Sequence, residues 1–277
     1  MKSLLALAAA CLALAGCQAN PITGRSQLMI VPEGLAVSES AAAYAQMMGQ
    51  LGQKKQIEAD SARAHKVRDI TDRLVAQAIK LRPDSADWKW EVQVINDPKT
   101  VNAFCMAGGK MAIYTGMFEK VHATDDEVAE VMGHEISHAL LNHTQERMSV
   151  AYSTQIGLGA LAIAAAVTDR NSNYTGLALT GAAAAAVLAI QLPNSRESES
   201  EADQVGIELA ARAGYDPAAA VTLWDKMAKL GGQPPEFMST HPSPEHRSAR
   251  LKELGAKLEP VYLSAKNTPP PTQQYLK

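Results

Sequence analysis

The strongest constraint on the fold is an HExxH motif, which here is His134-Glu135-Ile136-Ser137-His138. Two histidines four residues apart project from the same face of a helix, so their imidazoles can share one metal ion. Glu135 then lies where it can remove a proton from a water molecule at that metal. The motif therefore predicts a helix that supplies two zinc ligands and a general base.

The residues before the motif predict the same helix independently. Thr124 and Glu127 have the spacing of a capping box, which satisfies backbone N–H groups at a helix N-terminus. Asp125 and Asp126 place negative charge in the first turn, where the helix dipole favours it. Apolar residues recur at helical spacing through residues 128–140. The motif should therefore lie about two turns inside a helix.

An acidic run over residues 196–203 is expected to supply the third zinc ligand, since zinc in hydrolases takes three protein ligands. Glu199 and Asp203 share a helix face, so Glu199 can bind the metal while Asp203 accepts a hydrogen bond from a ligand imidazole. Glu197 and Glu201 are rival ligands, but neither has an aspartate four residues further on. Taken alone, such a run is also typical of a solvated helix start.

The order of these motifs resembles a known peptidase family. HExxH is followed by R-x-x-E-x-E-A-D-x-x-G at residues 196–206, and further matches are NPITGRSQL at 20–28, NAFCMAGG at 102–109 and STHPSPEHR at 239–247. Together they are similar to the gluzincin metallopeptidases of the CAAX prenyl protease, HtpX, Oma and BepA type, especially the short LoiP-like periplasmic lipoproteins. The resemblance implies a zincin-like α+β fold, mainly helical, with a small β-sheet beside the HExxH helix.

The resemblance also implies roles for individual residues. The implied ligands of one Zn²⁺ per chain are His134, His138 and Glu199. Glu135 is the implied general base for peptide hydrolysis, and Asp203 is implied to hold a ligand histidine from behind.

Two residues near the C-terminus have implied roles as well. His241 and Arg247 match a downstream pair that is thought to stabilise charge on the scissile carbonyl oxygen in this family. Two other interpretations of His241 remain open. It can bind zinc as a fourth ligand and block the site, or it can cap the next helix, as the surrounding proline and serine residues favour.

Alternating apolar residues predict strands within residues 88–95, 101–106 and 110–115. In the family that the chain resembles, an edge strand before the active-site helix pairs with the main chain of an extended substrate. The matching substrate-binding residues are Asn102, Ala103 and Phe104. Such pairing gives affinity with little sequence selectivity and suits unfolded proteins. The alternative is that the strands only cover the core.

The N-terminus predicts export. Residues 1–16 have the pattern of a bacterial lipoprotein signal peptide, which leaves Cys17 as the lipidated first residue. Gln18 rather than aspartate follows it, which predicts anchoring to the outer membrane with the chain facing the periplasm. Cys105 then has no cysteine partner and is expected to be a small buried side chain without an intramolecular disulfide. The net charge of −3 without basic clusters argues against nucleic acid as a partner.

One metallopeptidase domain is predicted over residues 17–265. Within it, residues 156–192 are Ala-rich and predict a helical hairpin rather than a membrane insertion, because each apolar run is shorter than a span. Residues 266–277, with three consecutive prolines, predict a disordered tail. Further helices are predicted within residues 41–81, 224–230 and 248–258.

The expected function is zinc-dependent hydrolysis of peptide bonds in unfolded or misassembled envelope proteins, which would be the partners of the chain. One alternative is a lipoprotein that binds envelope proteins as a chaperone does, with latent or minor proteolysis. Another is a scaffold that zinc merely stabilises. The first two differ in whether the Glu135 carboxylate is needed. The sequence does not fix the natural substrate or the oligomeric state.

Overall fold

The computed structural model describes residues 17–154, 194–231, 235–241, 246–268, 271 and 273–276. The predicted signal peptide and the predicted hairpin over residues 156–192 lie outside the described residues. Among the helices in the described ranges, none has the length and apolar character that crossing a membrane requires.

The chain begins with a small hairpin and two long helices. Strands β1 (Cys17–Ala19) and β2 (Ser26–Leu28) pair antiparallel, and the connecting turn contains Gly24 at a φ of +73°. Helix α1 covers Glu33–Gln53 and helix α2 covers Ala62–Leu81. These two helices confirm the helical prediction for residues 41–81.

A three-stranded sheet follows, formed by β3 (Glu91–Ile95), β4 (Ala103–Met106) and β5 (Lys110–Tyr114). The strand order is β3-β5-β4, with β3 parallel and β4 antiparallel to β5. Strand β4 therefore lies at the edge of the sheet and pairs with β5 alone among the described strands. The predicted strands are confirmed with somewhat shorter bounds.

The HExxH motif lies in helix α4 (Asp125–Leu140), which follows the short helix α3 (Gly116–Glu119). The predicted capping box is present: the Glu127 N–H donates to Thr124 Oγ1 at 3.3 Å, and the Thr124 N–H donates to Glu127 Oε2 at 2.8 Å. Almost all of α4 is buried, so its polar residues face other protein groups. Residues 143–154 form helix α5.

The second half of the site comes from α6 (Arg196–Arg212), which lies across α4. The two helices meet at Gly133 and Gly206, where a Cβ atom on Gly133 would lie only 2.8 Å from the Gly206 carbonyl oxygen. Backbone-to-backbone contact of this kind requires glycine on both helices. It sets the distance between the HExxH residues on α4 and the acidic residues on α6.

The remaining helices are α7 (Ala219–Ala228), α8 (Glu236–Thr240) and α9 (Arg247–Ala265). The main apolar core joins α2, the sheet, α4 and α6, and includes Leu74, Val92, Met111, Ile113, Met132, Ile136 and Leu209. A mainly helical α+β fold with a small sheet beside the HExxH helix is thus confirmed.

The C-terminal residues differ from the predicted disordered tail. The N–H groups of Tyr275 and Leu276 donate to Asp72 Oδ1 on α2 at 2.6 and 3.1 Å. Both side chains also pack against the main core. Proline-rich composition predicted disorder over 266–277, but a buried acceptor and two apolar side chains hold the described end of this segment in place.

Candidate metal centre

Four buried side chains bring potential ligand atoms to within 4.8 Å of one another: His134, His138, Glu199 and His241. Nε2 of His134 lies 3.1 Å from Nε2 of His138 and 3.3 Å from Nδ1 of His241. Oε1 of Glu199 lies 3.3 Å from His138 Nε2 and 2.9 Å from His241 Nδ1. The three predicted zinc ligands therefore converge, with His241 beside them.

The separations between neighbouring atoms of the cluster are those of ligands that bind one zinc ion. With bonds of about 2.0–2.1 Å to nitrogen and oxygen, neighbouring ligand atoms in a tetrahedron lie about 3.3–3.4 Å apart. Imidazole nitrogens facing one another at this distance would oppose lone pairs or ring protons, which a shared cation relieves. The donor set of three nitrogens and one carboxylate oxygen suits zinc, and His241 is close enough to bind the same ion as the three predicted ligands.

The Asp203 carboxylate lies against the ring nitrogen of His134 that faces away from the cluster. Its Oδ1 lies 3.2 Å from His134 Nδ1, so the ring N–H has an acceptor and Nε2 is left to face the cluster. Asp203 itself is held by Arg247, whose Nη2 lies 2.5 Å from the same Oδ1.

Arg247 lies behind the ligand cluster. Its Nη1 lies 3.2 Å from Glu199 Oε2, and its guanidinium stacks over the Trp224 ring at 3.6 Å. The side chain is buried behind the ligands and does not line the cavity next to Glu135. Arg247 therefore holds Glu199 and Asp203 in this structure, and the role at the substrate carbonyl that the resemblance implied stays a prediction.

Charges within the cluster favour a cation. Burial opposes ionisation of Glu199, but His241 and His134 outweigh it and hold the pKa of Glu199 far below its ordinary value. Burial lowers the pKa of His134, whereas Glu199 and Asp203 raise it, with a net result of about 9. The pKa of His138 is held well below its ordinary value by burial. The centre thus presents an ionised carboxylate among imidazoles.

Of the rival acids, Glu197 is exposed and takes no part in the cluster. Glu201 points away from it, toward Thr23 and Arg25 of the β1–β2 hairpin. The choice of Glu199 by its i, i+4 relation to Asp203 agrees with this arrangement.

The general-base candidate, Glu135, lies between the cluster and a cavity of about 390 Å³. Its Oε1 is 3.4 Å from His241 Nε2, and burial raises the pKa of the Glu135 carboxyl. A raised pKa brings a carboxylate closer to the range in which it can both accept and return a proton. The same cavity is lined by the predicted substrate-strand residues Asn102, Ala103 and Phe104.

Sequence reasoning missed two buried polar residues of the centre. Nδ1 of His143 lies 2.8 Å from His138 Nδ1, and the Asn194 side chain lies 3.2 Å from His241 Nδ1. A third histidine five residues after HExxH was the available signal for His143. Asn194 has no comparable signal, because only the tertiary fold brings it to His241.

A buried HExxH helix opposed by a glutamate from a second helix defines a metallopeptidase centre of the gluzincin type. Residues 61–255 match Peptidase family M48, and the chain belongs to this family.

The chain is similar to metalloendopeptidases from several organisms. It is 32% identical over 247 residues to the mitochondrial metalloendopeptidase OMA1 of Bos taurus, covering 86% of this chain and 46% of the relative. It is 36% identical over 175 residues to the mitochondrial metalloendopeptidase OMA1 of Arabidopsis thaliana, covering 63% of this chain and 33% of the relative. It is 30% identical over 173 residues to the beta-barrel assembly-enhancing protease of Escherichia coli, covering 60% and 34%.

The chain thus spans between a third and a half of the length of these relatives. The predicted membership of the Oma and BepA type is confirmed. The closer likeness to LoiP-like lipoproteins stays a prediction.

Proposed function

We propose that the protein is a zinc-dependent endopeptidase that hydrolyses peptide bonds of unfolded or misassembled proteins in the bacterial cell envelope. The observation that carries the proposal is the position of Glu135, between a cluster of four ligand side chains and a cavity bordered by an edge strand. Family membership supports the same class of reaction.

In the proposed mechanism His134, His138 and Glu199 would hold the metal. When bound, zinc supplies a Lewis acid for the scissile carbonyl and lowers the pKa of water from 15.7 to roughly 7. Glu135 accepts a proton from the attacking water and later passes it to the leaving amine. Asp203 and Arg247 keep His134 and Glu199 in place through the contacts behind the ligands.

His241 is proposed to be the resting fourth ligand. Its Nδ1 lies 3.3 Å from His134 Nε2 and 2.9 Å from Glu199 Oε1, so it could bind the same ion, whereas a catalytic zinc site leaves its fourth position to water. The ring stacks on Phe237 with centroids 4.4 Å apart, so the apolar side of the pocket supports this position. Hydrolysis then requires His241 to withdraw and admit water. In the alternative role His241 donates a hydrogen bond to the scissile carbonyl oxygen, and cleavage then depends on His241.

Substrate binding is proposed to occur by strand addition to β4. This strand has β5 on one side, and its residues line the cavity beside Glu135. Main-chain pairing would hold a substrate extended across the base and would be insensitive to most side chains. Folded proteins rarely offer such a free extended segment, so the preferred substrates are unfolded or locally open.

The envelope location is proposed from the predicted signal and from a relative. Cys17 is exposed at the start of β1, as lipidation at this residue requires. The name of the Escherichia coli relative connects that protein with the assembly of β-barrels. We extend to this chain a periplasmic position with an outer-membrane anchor and substrates among envelope proteins.

The test is cleavage of casein by the zinc-loaded chain lacking its signal and Cys17, compared with Glu135→Gln and His241→Ala. Glu135→Gln is expected to retain zinc and to lose about 10²–10⁴-fold in rate. His241→Ala is expected to cleave faster than the wild type if His241 blocks the site, and more slowly if it donates to the carbonyl oxygen.

Equal cleavage by the wild type and Glu135→Gln would refute the assigned base. If every form binds zinc and none cleaves, chaperone-like binding becomes the better account. Circular dichroism of the metal-free chain separates both from a zinc-stabilised scaffold, because only a scaffold unfolds when the metal is removed.

A further inference from the structure

We propose that a chain of hydrogen bonds from the N-terminal hairpin positions the metal ligand His138. We call this chain the hairpin relay; its members are Arg25, Glu201, His143 and His138. The inference rests on the proposed metal site, but Arg25, Glu201 and His143 have no role in the peptidase mechanism above.

The first link of the hairpin relay joins two imidazoles. His138 and His143 are each 1% exposed, and their Nδ1 atoms lie 2.8 Å apart. Since Nε2 of His138 faces the ligand cluster, its ring proton must be on Nδ1. That N–H needs an acceptor, which makes Nδ1 of His143 the unprotonated nitrogen.

The second link fixes the other side of the His143 ring. With Nδ1 accepting, the proton of neutral His143 is on Nε2, which lies 3.1 Å from Oε2 of Glu201. A carboxylate can only accept there, so both rings are left with a single tautomer. A carboxylate that accepts from a ligand imidazole raises its basicity and fixes its orientation. Through His143, the Glu201 carboxylate has the same effect on the ligand His138 without touching it.

The two HExxH histidines are therefore supported in parallel ways. His134 Nδ1 lies directly against the Asp203 carboxylate at 3.2 Å. His138 reaches the Glu201 carboxylate through His143. Both carboxylates belong to α6, two and four residues after Glu199, so α6 supplies a ligand and two supports.

The hairpin holds the far end of the hairpin relay. Glu201 accepts from Thr23 Oγ1 at 2.5 Å and from Arg25 Nε at 2.7 Å. Arg25 is fixed in turn by two bonds of 2.7 and 2.6 Å to the Glu146 carboxylate on α5. Paired donation by a planar guanidinium gives this contact a defined geometry. The Glu201 carboxylate is thus oriented by a residue 176 positions earlier in the chain.

The same hairpin also fastens the end of the HExxH helix. The side-chain amides of Asn20 and Gln27 donate to the Leu141 carbonyl oxygen at 2.8 and 2.9 Å. Leu141 lies between the two histidines of the hairpin relay in sequence. Docking of the hairpin therefore fixes both the orientation of the Glu201 carboxylate and the position of the backbone next to His143.

The first test measures metal affinity of the full mature chain without lipid, by Co²⁺ absorption and by Zn²⁺ competition with a chelator. Glu201→Ala is expected to bind each ion about 10–100-fold more weakly than the wild type. Glu201→Gln keeps an acceptor for His143 and is expected to recover part of this loss. The matched control is Ser149→Ala, which removes the acceptor of the Val31 N–H at 3.0 Å and so loosens the N-terminal segment away from the hairpin relay.

If Glu201→Ala bound the metal ions as tightly as the wild type, the hairpin relay would be overturned. The same holds if Ser149→Ala lost as much metal affinity as Glu201→Ala. If the wild type itself binds neither ion, the proposed metal site fails instead, so the two failures are distinguishable.

A second measurement needs no variant. Nitrogen-15 spectra of histidine-labelled, zinc-loaded wild type are expected to show His138 protonated at Nδ1 and His143 protonated at Nε2. A His143 ring protonated at Nδ1 would overturn the assignment, because a ring that only fills space has no reason to adopt the predicted tautomer.

Discussion

Replacing Gly206 with alanine is expected to loosen the metal centre, although this residue touches no ligand side chain. A Cβ atom at Gly206 would lie 2.7 Å from the His134 nitrogen and 2.8 Å from its Cα. Both neighbours belong to the backbone of α4, so no side-chain rotation can relieve the contact. The helices α4 and α6 must separate.

The size of the effect follows from these distances. Ordinary contacts between heavy atoms begin at about 3.5 Å, so α6 must retreat by roughly 0.8 Å. Overpacking of this kind costs about 1–3 kcal/mol of folding free energy. Metal–ligand distances tolerate changes of only about 0.2 Å. Since Glu199 moves with α6, we expect zinc affinity to fall at least tenfold, or about 1.4 kcal/mol.

The assay combines thermal unfolding of the metal-free chain with zinc titration of Gly206→Ala. Gly49→Ala in α1 is the matched control, because no atom lies within 4 Å of its added Cβ. This control is expected to leave zinc affinity unchanged and to stabilise the chain by up to about 1 kcal/mol. Wild-type stability and affinity in Gly206→Ala would refute the claim that the helix contact sets the ligand geometry.

Three further predictions concern residues outside the ligand set. Burial, followed by repulsion from Asp203, raises the pKa of Glu130 well above its ordinary value of 4.5. The folded chain prefers the protonated acid, so the ionisation of Glu130 opposes folding. The contribution of Glu130 to the unfolding free energy is therefore complete below pH 4.5 and declines as the pH rises above that value. Glu130→Gln should therefore exceed the wild type in stability by a margin that grows with pH in urea unfolding. Thr124→Ala should lower the unfolding free energy by about 1 kcal/mol through loss of the cap on α4. Cys105, whose thiol pKa is raised by burial, should react with a thiol reagent only upon unfolding.

Each of the three predictions has a control or a result that would contradict it. A stability difference for Glu130→Gln that stays constant between pH 4.5 and 8 would contradict a buried neutral acid. Ser38→Ala on exposed α1 surface should change stability by less than about 0.5 kcal/mol, and an equal loss there would remove the special role of the cap. Exposed Cys17 in a chain made without lipid should label rapidly, and equally rapid labelling of Cys105 would show that its strand opens readily.

Local spacing was sufficient to predict the first half of the site. The capping box at Thr124 and Glu127 and the four-residue spacing of His134 and His138 are properties of a single helix. The same rule selected Glu199 over its rivals, since a partner four residues on must share its face.

Tertiary contacts decided what sequence could not. Glu201 was a rival ligand by spacing, yet Thr23 and Arg25 turn its carboxylate toward the hairpin. Arg247 was placed at the substrate carbonyl by resemblance, whereas the crossing of α9 over α6 puts it behind Glu199. A local sequence pattern does not encode the position of either side chain, because each position depends on where a distant segment packs against the helix.

The contacts that build and support the metal centre join residues far apart in sequence, and this has a consequence for the newly made chain. Asn20 and Leu141 are 121 residues apart, Thr23 and Glu201 are 178 apart, and His134 and His241 are 107 apart. A polypeptide that emerges from its N-terminus first cannot complete this centre until α6 and α8 have followed the hairpin. The proposed hydrolysis would therefore have to wait until the segments that carry Glu199 and His241 have been made.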